Sequence, residues 1–159
     1  MADNNCSFYK GKGVIMVEED TIKLLRECNA GVKMGVASIN DCYSGVKSVD
    51  LRRTLDSSRV EHEKIGNLTR DMLNDYHDEG KEPNPIAKGM SWMKTNVMLA
   101  VEPTDASVAD LITDGCNMGV KSLARYLNQY AAAEEKAKDI AKKLIACEDT
   151  LAKDVRGYL

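Results

Sequence analysis

Aromatic residues are scarce in this chain, at 5 %, with one Trp and one Phe. That is thin for the core of a β-sandwich and ordinary for helices packed with Leu, Ile, Val, Met and Ala. No apolar run reaches the roughly 18 residues of a membrane span. An excess of one charge is also missing. The net charge is −3, with Lys and Arg mixed among the acids, so neither a basic footprint for nucleic acid nor a polybasic membrane patch is present. The five cysteines are odd in number and no two are spaced Cys-x-x-Cys. They read as free thiols of a reducing compartment. The opening "MADNNCSFYKGKG" has no charged-then-apolar leader pattern, and the chain is read as cytoplasmic. Parts for catalysis are lacking too. There is no Gly-x-Ser-x-Gly elbow, no marked Cys–His pair and no pair of loop acids, which removes hydrolase and transferase readings. The "GKG" at Gly11–Gly13 lacks the longer Gly-x-x-x-x-Gly-Lys-Ser/Thr frame that wraps phosphates.

What is present is a repeat. "CNAGVKMG" (Cys28–Gly35) returns as "CNMGVKSL" (Cys116–Leu123), 88 residues on (116 − 28). Around the first copy, Ile22, Leu25, Asn29, Val32, Val36, Ile39, Tyr43 and Val46 alternate steps of three and four, a heptad seam. This predicts a helix from about Glu19 to Ser44, its N-terminal acids Glu18, Glu19 and Asp20 favoured by the helix dipole. Residues 1–17 form an extension in which Gly13–Val17 is a strand stub or a lead-in to the helix. Gly45 and Ser48 mark a turn. A second helix runs from about Asp50 to Asp78, with Leu51, Leu55, His62, Ile65, Leu68, Met72 and Tyr76 along one stripe. Gly80, Pro83 and Pro85 end it.

About 26 residues then pass before Pro103, Thr104 and Asp105 signal a new helix start. So long a connection predicts its own short helix, Ile86–Leu99, with Met90, Trp92, Met93 and Met98 docking it on the rest. A third helix follows from Asp105. A last one carries Ile140, Leu144, Cys147, Leu151 and Val155. Propensity alone would run a single helix through "QYAAAEEKAKDIAKKL". Adding the repeat offset to the first turn predicts a break at Ala133–Ala137 instead.

Two similar hairpins bury their seams most simply on each other about a pseudo-twofold axis. The expected fold is therefore all-α: an antiparallel four-helix bundle over residues 18–159, with two helical hairpins joined by a long crossover. The hairpin repeat and the crossover "NPIAKGMSWMKTNVMLA" (Asn84–Ala100) resemble the ferritin-like proteins, and more narrowly a small bacterial branch of unknown function. That resemblance implies an interior where di-iron members place one Glu from each of two helices and a Glu-x-x-His from each of the other two. This chain departs from the pattern. Three residues before His62 stands Arg59, three after Glu148 stands Leu151, and the third helix has no Glu between Asp105 and Ala133.

The expected reading is a non-enzymatic structural or interaction module with no cofactor, which self-associates as a dimer. The alternative is a ferritin-like protein that binds a small molecule or metal in the bundle interior. Asn29, Asn117 and His62 are the buried polar or ligand candidates, and Asn29 and Asn117 are expected to hydrogen-bond across the pseudo-twofold or to backbone. Glu61, His62 and Glu63 are the weak metal candidates, because adjacent helical residues point about 100° apart. Gly31, Gly35 and Gly119 are the helix-contact positions, with large residues of the third helix filling the notch of the first. His77 is expected to lie solvated at a helix end.

Overall fold

A computed structural model describes residues 5–83 and 103–159. They form four α-helices and no strand among the described residues: α1 Asn5–Cys42, α2 Val49–Asp75, α3 Asp105–Gln129 and α4 Glu135–Asp154. One-turn 3₁₀ segments at Tyr43–Gly45 and Arg156–Tyr158 follow α1 and α4. The expected crossover helix with its Met and Trp residues lies outside the described residues.

The extension does not stand apart. Asn5 to Val17 continue α1, which is 38 residues long, about 57 Å at 1.5 Å per residue. Extending a helix needs no new nucleus, and no proline precedes Pro83 to stop it. The acids at 18–20 are therefore interior to α1 and do not cap its start.

The other helix ends match local chemistry. Ser48 caps α2, its hydroxyl accepting from the Leu51 N–H. Thr104 and Ser107 form a reciprocal capping box at α3. The α2 end is a Schellman turn: the Asp78 N–H bonds to the Leu73 carbonyl and the His77 N–H to that of Asn74. His77, exposed as expected, takes the left-handed position with φ 55°.

The chain breaks between α3 and α4 at Tyr130–Glu134, three residues before the expected place. Glu134 supplies no side-chain cap there. The caps come from α1: Asp20 accepts from the Ala132 N–H at 3.1 Å, and the Thr21 hydroxyl from the Glu134 N–H at 2.8 Å. The first hairpin's turn is treated the same way. Asp105, the first residue of α3, accepts from the Lys47 and Ser48 N–H groups at 2.7 and 3.0 Å. Each turn is thus stitched by an acid on the first helix of the other hairpin.

The segment leaving α2 runs along α1. Asp78 pairs with Arg26, Lys81 with Glu27 and Glu82 with Lys33. Tyr126 and Tyr130 are stacked, with ring centroids 6.1 Å apart.

The apolar core is divided. One cluster holds Leu24, Leu25, Cys28, Ile65, Leu123 and Leu144, among others. The second holds Ile39, Leu51, Leu55, Ile112, Cys116 and Leu151. On every helix the two sets are separated by a short interval, and in those intervals lie Gly35, His62, Gly119 and Glu148.

Candidate functional site

His62 is 1 % exposed and sits on α2. Its Nδ1 lies 2.8 Å from the Ser58 carbonyl oxygen one turn back, and its Nε2 lies 3.3 Å from Glu148 Oε1 on α4. Glu148 is itself 7 % exposed. A carbonyl and an ionised carboxylate can only accept, so beside an ionised Glu148 both ring nitrogens donate and the ring is an imidazolium. Burial alone would lower the His62 pKa, but hydrogen bonds with Cys147 and Glu148 and the Glu148 charge outweigh it, pushing it up to about 10.

Two glycines close over this pair. A Cβ on Gly35 of α1 would stand 2.7 Å from His62 Cδ2 and Nε2, and one on Gly119 of α3 would stand 3.2 Å from Glu148 Cδ and Oε1. All four helices therefore meet at one level: two supply the charges and two supply bare backbone. Gly31, one turn before Gly35, faces Leu144 of α4 at 3.3 Å. The glycines are contact positions, as expected, but their partners differ. His62 and Leu144, from α2 and α4, fill the α1 notch. The large residues of α3 do not.

Cysteines surround the pair. Cys147 Sγ is 3.4 Å from His62 Nδ1, so the fold brings together a Cys–His pair that spacing did not mark. Cys116 is buried beside Glu148, and burial, then that carboxylate, raise its pKa. Farther off, burial pushes the Cys28 thiol up to about 12 and the Cys42 thiol up to about 11.

Other candidates part company. Asn29 is 6 % exposed, but its Oδ1 finds no hydrogen-bond donor. It lies against Gly80, where a Cβ would come within 2.7 Å of that oxygen. Gly80 also has φ +83°, so close approach and backbone conformation both call for glycine there. Asn117 is exposed. The buried stripe of α3 runs through Ala109, Ile112, Cys116 and Leu123, and Asn117 is one 100° step off it. The expected asparagine bridge across the bundle is therefore not formed. Glu61 and Glu63 are exposed beside His62, and Glu61 pairs with Lys64. Among the described residues no three His, Cys, Asp or Glu side chains are grouped to hold a metal ion.

Glu148 enters the sequence reading only as a failed Glu-x-x-His position, and its place on the buried face of α4 was missed. Its signal was present: Leu144, Glu148, Leu151 and Val155 step by four, three and four. Cys147 fits an equally regular seam with Ile140, Leu144 and Leu151, and an apolar reading prefers the cysteine.

Two open grooves flank the bundle. One, of about 650 Å³, runs between α2 and α4 and reaches Cys147. The other, of about 480 Å³, lies between α1 and α2 around Val36, Glu63 and Arg70. No described helix is long and apolar enough to cross a membrane. Comparison with protein-family models, with curated proteins and with solved structures gives no match.

Proposed function

We propose that this chain is a ferritin-like, antiparallel bundle that works as a non-enzymatic structural or interaction module and self-associates. The antiparallel reading is supported by the stitched turns: Asp20 and Thr21 of α1 bond to the turn after α3, and the turn after α1 bonds to Asp105 at the start of α3. Likewise Tyr76 at the end of α2 bonds to Glu134 at the start of α4. The crossover is supported by the strap after α2, which sets off along α1 through three ion pairs.

The observation that carries the functional reading is the filled middle level. A di-iron centre needs four carboxylates and two imidazoles converging from the four helices. This level offers one of each, already paired, with glycine backbone pressed on both. That donor set does not fit the metal pair. Self-association is supported by Val14, Ile15 and Met16, each more than half exposed on consecutive positions of α1, N-terminal to the level of the α3–α4 turn. The buried thiols suit a reducing cytoplasm.

The test is metal analysis of protein purified without chelator, together with sedimentation equilibrium. Sub-stoichiometric metal and a concentration-dependent dimer are expected. Stoichiometric iron, manganese or zinc that disappears in His62→Ala would replace this reading with the metal-binding one, and a monomer at all concentrations would remove self-association.

A further inference from the structure

Resting on the self-association proposed above, we propose that its surface is the N-terminal overhang of α1, and that the occupant is the same overhang of a second copy running antiparallel to it. The four-helix body ends at one level. Asp20 and Thr21 of α1 hold the Ala132 and Glu134 N–H groups of the α3–α4 turn, and Tyr76 at the end of α2 bonds to Glu134. From Thr21, α1 runs back to Asn5, about 24 Å at 1.5 Å per residue. Along it Val14, Ile15 and Met16 are each more than half exposed, and a Cβ on Gly13 would meet nothing within 4 Å. Gly11, Gly13, Val14, Ile15 and Val17 are also weak helix formers. A helix of such residues held out in water gains from a partner.

The order of charges fits a second copy. Lys10 and Lys12 precede the apolar trio, and Glu18 and Glu19 follow it. Both glutamates are exposed, and Glu19 has Lys23 one turn on at 3.4 Å. Ile15 is three residues from Lys12 on one side and three from Glu18 on the other. Two overhangs crossed antiparallel about Ile15 therefore set Lys12 of one copy across from the partner's Glu18. Two copies in parallel would set lysine against lysine and glutamate against glutamate, which repel. The heptad steps through Leu25 and Ile22 continue back to Ile15, seven residues before Ile22, so the seam runs on past the body. The glutamates beside the trio oppose an anionic lipid surface as the occupant.

The test is sedimentation equilibrium of the full chain at low salt. A wild-type dimer is expected, with Ile15→Glu monomeric at the same concentration. Ile15 lies outside both core clusters, and circular dichroism checks that the variant keeps its fold. Lys10→Glu/Lys12→Glu and Glu18→Lys/Glu19→Lys are each expected to weaken the dimer about tenfold. The second set brings the net charge of −3 nearer zero, so general repulsion does not explain its effect. The variant carrying both sets regains complementarity and is expected to dimerise like wild type. If it stays as weak as its parents, or if neither reversal matters, the pairing is overturned. A dimer that survives Ile15→Glu overturns the pairing alone and leaves self-association to another surface. A wild-type monomer removes both, and one that pellets with phosphatidylglycerol vesicles gives the overhang to a lipid surface.

Discussion

The middle level of the bundle and the apolar clusters on either side of it are held by different physics. The clusters are Leu, Ile, Val, Ala and Cys, gain from area removed from water, and tolerate exchange among shapes of similar volume. The middle level is one imidazolium, one carboxylate and two glycines. It is unforgiving in geometry, because a buried charge whose partner is removed stays in a low-dielectric site. A heptad slip that would cost the clusters little would separate His62 from Glu148. The polar level therefore fixes which turn of α2 faces which turn of α4, a role in register well attested for buried polar groups.

The sharpest way to break that contrast is to remove one charge. Glu148→Ala should destabilise by about 3–5 kcal/mol, with the double variant His62→Leu/Glu148→Met recovering most of it. Urea unfolding measures both, and a small loss in the single variant would mean the pair is wetter than its burial implies. Next comes Gly35→Ala. Its new Cβ meets a ring fixed at both nitrogens, at 2.7 Å, and should cost about 1–3 kcal/mol by overpacking. Gly31→Ala meets only the tip of Leu144, which can turn aside. With the helix-propensity gain of up to about 1 kcal/mol over glycine, that variant should be near neutral. Equal costs for the two would remove the distinction between rigid and yielding neighbours.

A pH series sharpens the comparison further. His62 has its ordinary value of 6.5 when unfolded and about 10 when folded. The folded state binds the extra proton, so this stabilisation is complete below about pH 6.5 and is lost as pH rises towards about 10. His62→Gln should lack that slope. The cluster thiols Cys28 and Cys42 begin to oppose folding only above their unfolded value of 9.0, so the two regions separate along the pH axis. Smaller again, Thr104→Ala should cost about 1 kcal/mol through the lost cap. Smallest is Gly115→Ala, whose Cβ meets open space and which should gain a fraction of a kcal/mol.

The helices and their caps were legible because they depend on near neighbours. Ser48 and Thr104 announce starts with no knowledge of the fold, and the seam through Leu25, Val32 and Ile39 needs only a period. The start of α1 was misplaced because acids that suit a dipole also suit a distant turn, and Asp20 serves the latter. His62 was readable as a buried seam residue. Its partner was not, because Cys147 and Glu148 are adjacent and only the rotation of α4 against α2 decides which one faces inward. Asn117 failed for the same reason: the repeat carries sequence likeness but not helix rotation, so Asn29 is buried and its counterpart is exposed.

The stitching of the α3–α4 turn by Asp20 and Thr21 has a consequence for how the chain goes wrong. The bend at Tyr130–Glu134 contains neither glycine nor proline, and its instruction to fold back is written on α1. A chain in which α1 has not yet docked has every local reason to run α3 and α4 together as one rod. Two such chains would then be free to exchange their last helices and close as an intertwined pair. Asp20→Ala at high protein concentration is the condition under which that exchange should first be seen.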